Sequence, residues 1–327
     1  MKITNLAVIF VLILLFVFVK NNLEQEGNRT NLQLQVRYNK AIDTATQDAA
    51  SSLITNATQP LESNYQSAKQ VRLNKEAAAD TFFHTMYMNF NVAHDPVGQQ
   101  VLNSYIPALI VVGYDGYFVY QFEQYKNAAG ENEFRHVWSP KKPYAYKDDQ
   151  DNTYSFTLDD YVTVYRNSDG RWLRGFRSEV QDEAELNFLK DGAAFDAVRR
   201  ATIVNALQND LEDTINRYNT DAKRWGVSYT FTVPLIPETD WNNTINDAGV
   251  LAFVQGIPLG TSFYNNYALG GARIIKKDTF IGVIANGHKY YYPSKSCQSS
   301  YAPEEVFTSA KDAAKNGYTP LRCGIGN

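Results

Sequence analysis

Seventeen uncharged residues, Ile3 to Val19, read ITNLAVIFVLILLFVFV and lie between Lys2 and Lys20. A helix rising about 1.5 Å per residue needs roughly 17–25 apolar residues to cross a bilayer. The run therefore predicts a transmembrane helix at the short end of that range, with the lipid bilayer as its partner through residues 3–19. A cleaved secretory signal would show a small-residue cleavage site, whereas Val19 is followed by Lys20, Asn21, Asn22, Leu23 and Glu24. An uncleaved signal-anchor over residues 1–20 is the expectation. No later stretch of the chain approaches this length, so one span is expected.

Orientation rests on weaker signals. Lys2 and the terminal amine stand against Lys20 and Arg29, a small bias under the positive-inside rule. The tail before the run is two residues long, so the large remainder is where any work is done. That places the N-terminus in the cytoplasm and the C-terminal domain outside the plasma membrane, at the cell surface. The two cysteines, Cys297 and Cys323, agree with this. An even cysteine count in an exported chain implies a bridge, and closing a loop of this length removes roughly 3 kcal/mol of unfolded-state entropy.

Beyond the anchor the pattern turns helical. Leu34, Tyr38, Ile42, Ala45, Ala49 and Leu53 recur at spacings of three or four, which sets them on one stripe of a helix. Pro60 should end that helix, since proline breaks the hydrogen-bond ladder. The small residues Ala45 and Ala49 permit close approach of a neighbour, in this chain or another, and the stripe is a candidate assembly surface. Gly27 leaves open whether anchor and stripe share one rod. Further helices are expected over about 67–91 and 96–105, making 21–105 a helical stalk region.

Strand signals begin after Pro107. The run ALIVVGYDGYFVYQFEQY has two β-rich halves around Asp115-Gly116. An Asp-Gly pair at that place predicts a hairpin with a type I′ turn, which needs positive φ at both central residues. Strands are also expected at 134–138, 154–156 and 161–165, then a helical region over 182–219, then strands at 227–233, 272–276 and 279–285. Strands in runs interrupted by helices indicate an α+β fold with a mostly antiparallel sheet and packed helices. This assigns 106–286 to an extracytoplasmic domain and 287–327 to a small disulfide-closed module. Tyrosine is abundant, with 22 residues beside 18 phenylalanines, which suits both aromatic-rich strands and contact surfaces.

Chemistry-bearing patterns are sparse. His84, His94, His136 and His288 are far apart and match no common ligand spacing. They read as surface or half-buried histidines, with no metal or cofactor expected. Gly256-Ile257-Pro258-Leu259-Gly260 lacks the lysine of a phosphate loop and reads as a turn. Asp148-Asp149-Gln150-Asp151-Asn152 lacks the glycine and distal glutamate of an EF-hand and reads as a solvated turn. Asp159 and Asp160 are adjacent in an extended segment and point to opposite faces. No nucleophile elbow occurs, so no enzyme is expected. A net charge of −4 with scattered basic residues argues against a nucleic-acid partner.

Two resemblances add to this. The tail GHKYYYPSKSCQSSYAPEEVFTSAKDAAKNGYTPLRCGIGN resembles small Ada-like zinc modules in Ser296-Cys297, Phe307-Thr308-Ser309, Ala313-Ala314 and Gly317-Tyr318-Thr319-Pro320. It departs from them where Tyr291 or Tyr292 stands for the histidine, Leu321 stands for a cysteine, and Cys323 is displaced by one residue. Four-coordinate zinc needs four ligands. The resemblance therefore implies a module that exchanged its metal for a disulfide.

The opening MKITNLAVIFVLILLFVFV, the segment IPALIVVGYDGYFVY, and GVLAFVQGIPLGTSFYNNYALGGARIIKK are similar to a group of single-pass membrane proteins of clostridia and related Gram-positive bacteria. Those proteins lie beside tight-adherence, type IV pilus-like loci. The resemblance implies a pilin-like structural or accessory subunit of a surface filament or secretion apparatus. Its partners would be copies of itself or other pilus-like envelope proteins. The chain departs from typical pilins in lacking a prepilin cleavage site and the glutamate beyond it. Two other readings stand beside this one, a membrane-tethered ligand-binding or adhesive ectodomain and a cell-envelope enzyme.

Overall fold

The computed structural model of the chain describes residues 3–55, 73–183, 186–224, 236–260, 262–272, 280–293, 301, 303–307 and 310–321. The side chains of residues 3–14, 16 and 17 lie outside that description. The chain divides into two compact units, Met1–Ile274 and Ile275–Asn327.

The first unit opens with three helices, α1 (Ile3–Thr55), α2 (Lys75–Asn89) and α3 (Pro96–Ser104). Asn74 caps α2 by accepting from the Ala77 N–H, and Asp95 caps α3 by accepting from Val97 N–H with Pro96 in the first turn. Both are standard ways to satisfy orphan amides at a helix start. Next come β1 (Ala108–Gly113), β2 (Gly116–Lys126), β3 (Asn132–Trp138), β4 (Tyr144–Lys147), β5 (Thr153–Phe156), β6 (Tyr161–Arg166) and β7 (Arg171–Phe176). A one-turn α4 (Arg177–Val180) and a 3-10 turn (Asn187–Leu189) lead to α5 (Gly192–Arg224) and α6 (Glu238–Thr244). The unit closes with β8 (Gly249–Leu259) and β9 (Ser262–Gly271).

A five-stranded antiparallel sheet, ordered β3-β2-β1-β8-β9, forms the middle layer. Its central strands are buried on both faces. Ala108, Ile110 and Val112 of β1, with Leu251 and Phe253 of β8, enter a core with α5 and the second sheet, β4-β5-β6-β7. Leu109 and Val111, with Val250, Ala252 and Val254, enter a core with α1, α2 and α3. Period-two alternation into two apolar layers explains why ALIVV and VLAFV carry no polar residue. The result is an α+β fold with mostly antiparallel sheets, in keeping with the sequence pattern.

The stripe on α1 is part of this interior. Ile42, Ala45, Ala49 and Leu53 have no exposed surface, and Leu34 and Tyr38 pack at the margin of the same core. Their neighbours are α2, β8 and β9 of their own chain, so the stripe is not the assembly surface that its periodicity suggested. The close approach that Ala45 and Ala49 permit is made to the sheet. A Cβ on Gly270 would stand 2.5 Å from the Thr46 carbonyl oxygen, so helix and strand touch backbone to backbone. Amphipathic periodicity reports that a face is buried and is silent about which chain buries it.

Gly27 does not interrupt α1, which runs unbroken for 53 residues, about 80 Å at 1.5 Å per residue. Every described side chain from Phe18 to Thr30 is exposed, so this part of the helix projects clear of the sheet. Among the described residues no helix is long and apolar enough to cross a membrane. The side chains that carry the expected anchor fall almost entirely outside that set.

The β1–β2 hairpin forms, but its turn differs from the expected one. Gly113 pairs with Gly116, so Tyr114 and Asp115 are the loop residues. Asp115 is not among the residues with positive φ, while Gly116 has φ 155°. Glycine is required at 116 for another reason, since a Cβ there would lie 2.4 Å from the Lys142 carbonyl oxygen. Tyr117 and Lys142 exchange both backbone hydrogen bonds, each at 2.9 Å, and that pairing brings the segment leading into β4 against β2. Gly256 is also corrected. It lies within β8 at a register shift between Gln255 and Ile257, with φ 86°, as a bulge and not a turn.

The second unit contains β10 (Phe280–Ala285), β11 (His288–Pro293), β12 (Pro303–Phe307), α7 (Ala310–Lys315) and β13 (Thr319–Pro320). The sheet order is β12-β10-β11-β13. Strand β10, grouped by the sequence with the larger domain, pairs with β11 and β12 inside this unit. Phe307, Ala313 and Tyr318 form its core, and Tyr291 packs beside them. Cys297 and Cys323, the expected disulfide, lie outside the described residues, as do the strands expected at 227–233 and, beyond Ala272, at 272–276.

Candidate functional site

A concavity of about 900 Å³ runs between β3 and the helices α2 and α3. Its floor is built by cross-strand register. Tyr120 faces Trp138 and Phe122 faces His136 across the β2–β3 pair, with Phe134 one step further along. The ring centroids of Tyr120 and Trp138 are 4.5 Å apart, those of Tyr120 and His136 are 5.2 Å apart, and those of Phe122 and Phe134 are 6.0 Å apart. Interplanar angles of 24–30° mean that these rings stand side by side. Their faces partly cover one another.

The opposite wall comes from α2. Asp80, His84 and Tyr87 are spaced i, i+4 and i+7 and so share one side of the helix. Gln100 and Asn103 of α3 continue the wall, and the Tyr87 hydroxyl donates to Asn103 Oδ1 at 2.8 Å, pinning the helices together. Phe83 ties wall to floor, with its ring 4.8 Å from the His136 imidazole. At one end Lys75 Nζ lies 4.6 Å from the Trp138 ring, and the guanidinium of Arg135, a lining residue, sits 4.1 Å over Tyr125. Both are cation–π contacts that hold basic side chains against the sheet.

The floor holds two titratable groups, Tyr120 and His136. The His136 Nε2 is 2.7 Å from the Ile106 carbonyl oxygen, which can only accept, so Nε2 carries the proton. Desolvation pushes its pKa down to about 4 against a raising contribution from that bond. The imidazole is therefore neutral at physiological pH and works as a packing and hydrogen-bonding group. Tyr87 and Tyr120 hydroxyls are pushed up by burial and also stay neutral.

A second, polar hollow of about 470 Å³ lies along α5 beside Lys142, Asp210 and Arg217. The Tyr117 hydroxyl donates to Asp210 Oδ2 at 2.8 Å and to the Ala206 carbonyl at 3.1 Å, and Lys142 Nζ reaches the same carboxylate at 2.6 Å. This cluster locks α5 to the β1–β2 hairpin. The acidic run at 148–152 closes the β4–β5 hairpin. There the Asp148 carboxylate accepts from the Gln150 and Asn152 amides, Asn152 Nδ2 and the Tyr154 hydroxyl. Those bonds hold its pKa below the usual range against the opposing effect of burial.

None of the residues singled out in the sequence lines the aromatic groove except His84 and His136, which had been read as unremarkable histidines. Asp115 stands at the hairpin tip in an ion pair with Lys141, and the Leu34–Leu53 stripe serves the core. The groove draws on four elements distant in sequence, so no local motif announces it. The available signal was the alternation Phe134, His136, Trp138, which puts three rings on one face of a strand.

Comparison with protein-family models, with curated proteins and with solved structures finds no match to this chain.

Proposed function

We propose that the protein is a membrane-anchored extracytoplasmic subunit, structural or accessory and pilin-like in construction, in which α1 is both anchor and spine. The observation that carries this reading is the continuity of α1. One helical backbone joins the apolar run at residues 3–19 to the core-packed segment ending at Leu53. The domain would then be coupled rigidly to its anchor, which a passive tether does not need and a subunit held in register does. With the Leu34–Leu53 stripe committed to the core, contacts between neighbours fall on the uncovered surface of α1, where Phe18, Val19, Leu23, Leu32 and Val36 are each roughly half or more exposed. The resemblance to proteins beside tight-adherence loci points the same way.

Single cysteines at Leu23, Leu32 and Val36, in a chain whose own two cysteines are serine, test this in intact cells with a short bifunctional thiol reagent. Crosslinks to a second copy or to an envelope protein are expected. Absence of intermolecular crosslinks at all three positions, with the domain accessible to external protease, would remove the subunit reading. The second reading, a tethered ligand-binding or adhesive ectodomain, is favoured by the aromatic groove.

A further inference from the structure

The second sheet, β4-β5-β6-β7, turns one face to the core and the other to water. Tyr144, Tyr154, Phe156, Val162 and Val164 belong to the core, so the residues that alternate with them point the other way. Pairing across the four strands sets Lys147, Thr153, Tyr165 and Trp172 in one outer row. Ala145, Ser155, Thr163 and Arg174 form the row beside it. Ser155 and Thr163 sit on the two central strands and are only half-buried, so these rows stay open to solvent. Tyr161, one row further along β6, is 8% exposed and ends the open area.

An antiparallel sheet with one wetted face needs only polar side chains on that face, which accounts for the threonines and the serine. It does not account for Trp172, which keeps 61% of its surface in water. Tyr165 stands beside it, with ring centroids 5.1 Å apart and planes at 53°. Aromatic rings offer electron-rich faces, and the hydroxyls alongside can each donate and accept. Neither row contains a carboxylate. Lys147 is held by Asp151 at 2.7 Å, whereas Arg174 has no ion pair among the described residues, so the face is positive. Size narrows the occupant further. Strands about 4.8 Å apart and two rows about 7 Å deep make a patch of roughly 270 Å². That is about a third of the roughly 800 Å² that each partner gives to a stable protein–protein contact. It suits a few sugar rings, whose C–H faces pack on aromatic faces while their hydroxyls reach polar side chains.

We propose that this platform binds an acidic polysaccharide, a glycan strand that bears carboxylate groups. Sugar rings stack on Trp172 and Tyr165, their hydroxyls bond to Thr153, Ser155 and Thr163, and a carboxylate pairs with Arg174. The pairing with Arg174 is charge-assisted and can be bidentate, which selects acidic sugars over neutral ones. The platform shares no residue with the aromatic groove or with α1. Glycan binding and crosslinking along α1 therefore report separately on this proposal and on the subunit reading.

The test uses the full chain in lipid nanodiscs, titrated calorimetrically with hexasaccharides of galacturonate and of hyaluronan and with the methyl esters of both. At least one acidic hexamer should bind, and its ester should bind at least tenfold more weakly. Trp172→Ala should weaken the acidic hexamer at least tenfold, and Arg174→Gln should reduce it to the affinity of its ester. Both side chains are exposed, so both variants should keep the parent's thermal midpoint, and the esters probe the charge without altering the protein. Failure of both acidic hexamers to bind at millimolar concentration would overturn the proposal, as would binding that Trp172→Ala leaves intact. Equal affinity for acids and esters would refute recognition of an acidic sugar. Self-association of the sugar-free, detergent-solubilised chain that Trp172→Ala abolishes in sedimentation would give the platform to a protein partner and would also overturn it.

Discussion

Replacing Ile42 by alanine separates the two roles that its stripe could have. In the structure Ile42 has no exposed surface and sits between α2 and the β8–β9 pair of its own chain. The substitution removes three methyl or methylene carbons, about 2.4 kcal/mol at about 0.8 kcal/mol for each. The cavity left in a close-packed interior brings the total into the range of about 2–5 kcal/mol. The stiff α1–sheet contact at Thr46 and Gly270 limits collapse around the site, which favours the upper half of that range. Urea denaturation of the detergent-solubilised chain should show this loss, and the shift should be the same over a hundredfold range of protein concentration. An intermolecular stripe predicts the reverse, a loss under about 1 kcal/mol together with a weaker oligomer. That pattern would refute the assignment of the stripe to the core.

Three other outcomes follow from particular contacts. His136 has a folded-state pKa of about 4 against an ordinary value near 6.5, so the unfolded chain binds the extra proton first as pH falls. Stability attributable to it is intact above about pH 6.5 and is lost progressively toward pH 4, by about 3 kcal/mol at most. Urea midpoints at pH 7 and pH 4.5 should diverge less in His136→Gln than in the parent, and equal divergence would contradict the neutral, desolvated imidazole. Gly270→Ala forces a Cβ to within 2.5 Å of the Thr46 carbonyl oxygen and should cost about 1–3 kcal/mol, measured as a lowered thermal midpoint by circular dichroism. Tyr117→Phe strips the donor from Asp210 and the Ala206 carbonyl and should cost about 1–3 kcal/mol, whereas an unchanged urea midpoint would show that water replaces the hydroxyl.

The contrast between stripe and groove shows where sequence reasoning ends. Leu34, Tyr38, Ile42, Ala45, Ala49 and Leu53 are bound to one face by the 3.6-residue repeat, and that face is buried as periodicity requires. The strands expected at 134–138, 154–156 and 161–165, and the helices expected over about 67–91 and 96–105, which form over 75–89 and 96–104, were legible for the same reason, because local spacing and capping residues act within one turn or one pleat. Asp115-Gly116 marked the hairpin correctly, yet the turn is displaced by one residue. The decisive constraint there is the approach of the Lys142 carbonyl to Gly116, a contact made across 26 positions of chain.

What the sequence by itself determined is the alternation of apolar and polar positions, and with it the α+β class, the double-faced central strands and the helical face that must be covered. Only the tertiary structure decided what covers each face. It turned the α1 stripe inward onto β8, β9 and α2, and it set β3 beside β2 at one end of the sheet that the described strands form. It also assembled Tyr120, Phe122, Phe134, His136 and Trp138 into one floor opposite Asp80 and His84. Burial is a free energy of area removed from water and carries no address. The address comes from strand order and close backbone approach, which depend on residues far apart in the chain.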